Sequence, residues 1–167
     1  MITAELRETV RQLYLYRCGY CGVSEVGVGH KLELDHFYPV SRGGDDHLEN
    51  LVYCCAACNR FKSSFWAARD VARRLLHPLR DDLTLHVRAE ADGWLMALTE
   101  TGQCHLDILH LNRSQLRSQR IKRALTEQFA GRLARLNEEG TQWNSLTATG
   151  RDELFEMLRI LYRLPNE

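Results

Sequence analysis

The chain lacks three things that often assign a sequence to a class at once. It has no net charge, because 22 Lys and Arg balance 22 Asp and Glu over 167 residues. A domain that holds nucleic acid mainly by counterion release usually carries a basic surplus, and the total offers none. It has no apolar run long enough to span a bilayer, so no membrane partner is expected. Met1 to Glu8 carries charges where a secretory signal needs an apolar stretch, and a cytoplasmic location is expected. Repeats and low-complexity tracts are absent as well. What remains, 44% apolar and 26% charged residues, is an ordinary globular composition.

The zero is a sum of unlike parts. Residues 113–135 hold seven basic residues (Arg113, Arg117, Arg120, Lys122, Arg123, Arg132 and Arg135) against one acid, Glu127, whereas residues 136–167 hold six acids against three bases.

Leu6, Val10, Leu13 and Tyr14 recur at helical spacing and predict an amphipathic helix over 3–17. An extended stretch follows from Lys31 to Val40, then a Gly43-Gly44-Asp45-Asp46 turn and a second strand from Asn50 to Cys54. From Cys58 to Leu76 there is no Gly or Pro, and Phe61, Phe65, Ala68, Ala72 and Leu75 predict a helix that Pro78 stops. Residues 83–90 and 94–99, joined by Asp92-Gly93, read as a hairpin. Helical periodicity then runs from Ile108 to about Asn137, and a last short helix is expected over Leu154 to Leu164, beyond a linker between Gly140 and Gly150.

Six cysteines, at 18, 21, 54, 55, 58 and 104, need an explanation in a reducing compartment. Cys18-x-x-Cys21 and Cys55-x-x-Cys58 are two knuckles, each presenting two thiolates, and together they complete the tetrahedral shell of a structural Zn²⁺. Residues 22–54 form a module inserted between them. A site filled by four cysteines has no open position, so its role is structural. Cys54 and Cys104 read as small buried residues.

The inserted module contains Leu34-Asp35-His36-Phe37-Tyr38-Pro39-Val40-Ser41-Arg42-Gly43-Gly44, then Asn50, then Cys55-Ala56-Ala57-Cys58-Asn59-Arg60-Phe61-Lys62. Hydrolysing a phosphodiester needs a base to activate water and a cation to offset the charge of the transition state. His36 suits the first task near neutral pH, and Asp35 is a hard oxygen ligand for the second. Adjacent strand residues point to opposite faces, so both serve one site only where regular pleating fails. Asn59, in the opening turn of the helix, offers an amide oxygen opposite Asp35.

Residues 18–64 resemble the HNH endonuclease family in its Cys-x-x-Cys-flanked version, with the pattern D-H-x-x-P-x-S-x-G-G, an internal Asn and C-x-x-C-N-x-x-K. The resemblance implies a ββα-metal core and metal-dependent cleavage of DNA leaving 5′-phosphate and 3′-hydroxyl ends. With the structural zinc site, the N-terminal helix and the C-terminal β-hairpin plus helices read above, an α+β protein is expected, with a nuclease domain over 1–77 and an extension over 78–167. His36 would be the general base, Asp35 and Asn59 would hold Mg²⁺ or Mn²⁺, and Asn50 would fix the loop bearing His36. Many relatives have His where Asn59 stands, and losing an imidazole moves the site toward harder ions.

Arg60 and Lys62, beside the helix start, and Arg117, Arg120 and Arg123 on the later basic helix are expected to contact DNA phosphates. His30 and His47 read as surface residues, and His77, His86, His105 and His110 as structural ones. Two other readings compete: a zinc-stabilised nucleic-acid-binding module with an idle site, and a subunit active only with a protein partner, such as an anti-phage defence complex. Two-strand cleavage would need two sites, hence a homodimer or sequential nicking.

Overall fold

The computed structural model describes residues 2–67 and 72–138. The chain is α+β and divides into two compact units, one of residues 1–90 and 94–113 and the other of residues 91–93 and 114–167.

The first unit opens with α1 (Ala4–Leu13). Thr3 caps it by accepting a hydrogen bond from the Leu6 amide at 3.1 Å, and Val10 is its fully buried residue. The helix ends four residues before the expected Arg17 because Leu15 and Tyr16 take left-handed backbone angles, φ 52° and 60°. That reversal turns the chain into the first cysteine knuckle, which an Arg17–Ser24 bridge closes. A short helix α2 (Glu25–Val28) follows, capped by the Ser24 side chain.

Strands β1 (Glu33–His36) and β2 (Leu51–Cys54) form an antiparallel pair in the register Glu33–Cys54, Leu34–Tyr53, Asp35–Val52 and His36–Leu51. All four β2 residues are buried, as are Val10, Tyr14 and Leu32, and Leu76 and Leu109 are fully buried in the same unit. A fully buried side chain of this kind stabilises the fold by about 1.5–3 kcal/mol. Between the strands lie two single 3₁₀ turns, Val40–Arg42 and Leu48–Asn50. The paired glycines have separate reasons. Gly43 sits at φ 94°, and a Cβ on Gly44 would lie 1.9 Å from the Tyr38 carbonyl oxygen.

Helix α3 covers Ala56–Lys62, far short of the expected Cys58–Leu76 helix. Ser63 breaks it at φ 48°, ψ −133°, directly after Lys62, whose side chain is drawn inward. In the described residues just beyond Ser63 the chain is irregular, and Trp66 meets Phe37 and Tyr38 edge-on, with centroids 6.0 and 4.8 Å apart. Residues 68–71 of that expected helix lie outside the described residues.

The same unit also contains β3 (Val87–Ala89) and β4 (Leu95–Ala97), paired antiparallel as the hairpin pattern predicts but shorter than expected, since Leu83–Leu85 forms a 3₁₀ turn capped by the Asp82 side chain. Helix α4 (Glu100–Ile108) is an addition to the sequence reading, which started helical structure at Ile108. Thr99 caps it by accepting from the Gly102 amide. A Cβ there would sit 2.0 Å from the His86 carbonyl oxygen, so only glycine fits this crossing. In the second unit, α5 (Ser114–Glu138) follows the expected periodicity but starts six residues after Ile108, because the chain breaks between the two helices with His110 at φ 48°. The linker and the helix expected over Leu154 to Leu164 lie outside the described residues.

Candidate active site and metal centre

The two knuckles converge. The sulfurs of Cys18, Cys21, Cys55 and Cys58 all lie within 4.8 Å of one another, and the Cys21 and Cys55 sulfurs are 3.8 Å apart. A tetrahedral ion with Zn–S bonds of about 2.3 Å separates its ligands by roughly 3.8 Å, so the donor set fits zinc in chemistry and in spacing. Hydrogen bonds from Cys18, Cys21 and Cys58 hold the Cys55 thiol below the ordinary thiol range, and the same crowding pushes Cys58 above it. A divalent cation would relieve that crowding by taking the place of the shared protons. Cys54 is fully buried and its thiol is pushed up by that burial, as suits an inert packing residue. Arg113 donates to the Cys58 sulfur at 3.7 Å and lies over the Phe61 ring, which also meets His110 at 4.5 Å.

Asp35, His36 and Asn59 line one cleft of about 310 Å³, with Leu34, Pro39, Val40, Ser41, Ser63 and Ser64 completing its walls. The ladder stays regular through the His36–Leu51 pair. His36 is the last residue of β1, and beyond it the chain turns, which lets neighbouring side chains border the same cleft.

The His36 ring bonds through Nε2 to Asp46 Oδ1 at 2.8 Å, which holds the Asp46 carboxyl below the usual carboxylate range. With Nε2 donating, Nδ1 is the ring atom left to take a proton. Sequence reasoning missed Asp46, because nothing in the Asp45-Asp46 pair tells which of the two turns inward.

Asp35 is buried. Tyr20 Oη donates to its Oδ2 at 2.6 Å and Lys62 Nζ to its Oδ1 at 2.9 Å. Burial pushes its carboxyl above the ordinary range, while Lys62 and Tyr20 pull it back down. A carboxylate has about four lone-pair positions, so two remain for a cation in the cleft. Asn59 Nδ2 donates to Glu33 Oε2 at 2.7 Å, leaving its amide oxygen for the same cation. Together these are hard oxygen donors, which fits Mg²⁺ or Mn²⁺ and fits poorly with softer ions.

Asn50 works as a staple. Its Oδ1 accepts from the Tyr38 amide at 2.7 Å, its Nδ2 donates to the carbonyls of Tyr38 and Asp45, and its own carbonyl accepts from the Phe37 amide. These four bonds fix both ends of the loop carrying Asp46 and the turn after His36.

The expected phosphate contacts fare unevenly. Lys62 is fully buried, bonded to Asp35 and to the His36 carbonyl at 2.8 Å, and so cannot reach DNA; that expectation is corrected. The residue lies four positions after Cys58, on the same buried face of α3, and that spacing was the available signal. Arg60 is exposed. In the second unit, Arg117 pairs with Asp92 at 2.9 Å, Arg120 donates to the Gly93 carbonyl at 2.6 Å, and Arg123 lies 3.7 Å from Glu127. Of these, Arg117 gains an acidic partner that the count of one Glu in 113–135 did not include. His30 and His47 are exposed as expected, and His77 and His105 are buried.

Comparison with known proteins adds one finding: the family model described as HNH endonuclease matches residues 18–65. No curated protein and no solved structure matches the chain. The matched segment begins at Cys18, ends just past Lys62, and contains every residue that lines the cleft, together with Asn50 and Asp46. Residues 18–65 are thus similar to the HNH endonuclease family, and the four clustered cysteines match its cysteine-flanked subtype.

Proposed function

We propose that the protein is a metal-dependent endonuclease that hydrolyses DNA phosphodiester bonds. The observation that carries this reading is the convergence of Asp35, His36 and Asn59 on one cleft within the matched segment. His36 Nδ1 takes a proton from the attacking water, while Asp46 on Nε2 holds the ring's tautomer and supports the positive charge that develops. Asp35 and the Asn59 oxygen would hold the divalent cation, whose chemistry would be to offset charge on the scissile phosphate and on the departing 3′-oxygen. The water oxygen bonds to phosphorus as the phosphorus–O3′ bond breaks, leaving a 5′-phosphate, and the departing 3′-oxygen takes a proton from solvent to become the 3′-hydroxyl. Asn50 keeps the His36 turn and the Asp46 loop in register. Zinc on Cys18, Cys21, Cys55 and Cys58 would hold the two knuckles together, with residues 1–77 as the nuclease domain.

Incubating the purified chain with plasmid and Mg²⁺ or Mn²⁺ tests this reading. Cleavage that His36→Ala abolishes while zinc is retained supports it, and cleavage that survives the substitution removes it. A second reading, a zinc-stabilised nucleic-acid-binding module without autonomous cleavage, draws on the Lys62 group bonded to Asp35 Oδ1, which already supplies a positive charge there. Under that reading the chain alone binds DNA and does not cut it, and activity would require a protein partner, as for an effector subunit of a defence complex.

A further inference from the structure

Asp35 is held on both oxygens, and both tethers start at the cysteine knuckles. Tyr20 lies between Cys18 and Cys21, and its hydroxyl reaches Oδ2. Lys62 stands one helical turn beyond Cys58, and its amine reaches Oδ1 and the His36 carbonyl. Tyr20, Asp35 and Lys62 are all buried.

A buried lysine–carboxylate pair is a weak source of stability, since desolvation offsets most of the attraction and apolar packing would serve as well. Its geometry, however, is specific. The two tethers approach from the two segments whose separation the four sulfurs set, so the carboxylate direction depends on the closure of that cluster. Neither tether uses the remaining lone pairs that border the cleft.

We propose that Tyr20 and Lys62 are positioning residues that carry the geometry of the four-cysteine cluster to Asp35 and thereby set the affinity of the cleft for a hard divalent cation. This rests on the reading of Asp35 as a cation ligand. Sequence patterns hid it, because Tyr20 reads as filler between two cysteines and Lys62 reads as a surface cation.

The test is Mn²⁺ binding by calorimetry to the zinc-loaded full chain, with zinc content and thermal midpoint measured on every variant. Tyr20→Phe keeps the ring and removes one hydrogen bond to a charged acceptor. It should weaken Mn²⁺ binding roughly tenfold with zinc content unchanged, a fold-change in keeping with one such bond. Asp35→Asn is the reference variant. If Asp35→Asn leaves Mn²⁺ affinity unchanged, the ligand reading itself fails. If Asp35→Asn weakens binding while Tyr20→Phe matches the wild type, the ligand reading stands and the positioning role is overturned. Loss of zinc in Tyr20→Phe would make the residue structural and also overturn the proposal. Lys62→Met is the second arm, and should it cost the chain its zinc, Tyr20→Phe alone decides.

Discussion

The cysteine-flanked module and the basic helix α5 use charge in opposite ways. In the module, one ionic pair is buried, with Lys62 sealed against Asp35, and the half-buried His36 is held by Asp46. On α5, basic residues are many, and those on its first turns meet partners within their own unit, Asp92 and the Gly93 carbonyl. Buried pairs fix direction and are costly to break, whereas exposed pairs contribute about 0–1 kcal/mol and are screened by salt. Counting cations in a sequence therefore ranks the two regions in the wrong order. The seven basic residues of 113–135 drew attention to a surface, while one lysine in a motif reaches the buried carboxylate beneath the cleft.

The largest blow to this contrast falls on the sulfurs. Cys58→Ser should abolish zinc retention and the cooperative thermal transition, because binding energy of a structural zinc is folding energy, about 10 kcal/mol or more. Atomic emission of the purified protein together with a melting curve reads both, and a folded, zinc-free variant would break the claim. His36→Ala comes next. Its cleavage rate should fall by about 10²–10⁴, the usual worth of a positioned base, with zinc content and melting temperature unchanged.

Burial of histidine gives a pH effect of intermediate size. His105 is fully enclosed, its Nδ1 accepts from the Leu76 amide at 3.1 Å, and burial lowers its pKa to about 4. The folded state thus binds fewer protons than the unfolded state between about pH 6.5 and pH 4, and stability falls as pH falls through that window. The loss should reach about 3 kcal/mol at its lower end, read from urea midpoints across the window. A His105→Gln protein should show a flatter profile, and an identical slope would assign the acid sensitivity elsewhere.

The smallest effect is expected where the sequence looked most emphatic. The triple change Arg117→Gln, Arg120→Gln and Arg123→Gln should alter stability by about 1 kcal/mol or less per exposed pair. If those arginines do meet phosphates, the salt slope of DNA binding should drop by roughly 0.9 for each phosphate that is no longer neutralised. An unchanged affinity and slope would leave α5 without a part in DNA binding, and the contrast between the two regions would be complete.

Much of the module was legible because its constraints are local. Two Cys-x-x-Cys turns announce their sulfur cluster by spacing alone, and the β1–β2 pair follows from two extended stretches on either side of a Gly-Gly turn. Asn50 and Asn59 were found through a motif whose geometry the bonds around Asn50 explain. What escaped detection depended on long-range packing or on a single dihedral. Ser63 ends α3 by one left-handed residue that no propensity favours, and Gly102 sits inside a helix because the His86 carbonyl crosses there. Asp46 and Tyr20 acquire their roles from partners ten and fifteen positions away, across folds that periodicity does not encode.

The Asn50 staple has a consequence for chain length. Because it ties Tyr38 to Asp45 across the loop, the exposed residues between them, Ser41 and Arg42 among them, hang from ends that are already fixed. A closed loop grows at only logarithmic entropic cost, so this segment accepts insertions that the β1–β2 ladder would not feel. Since Val40 and Ser41 form part of the cleft rim, the length of that loop is a dial on access. Engineered variants could trade substrate reach there without retuning the carboxylate, the imidazole or the sulfurs beneath it.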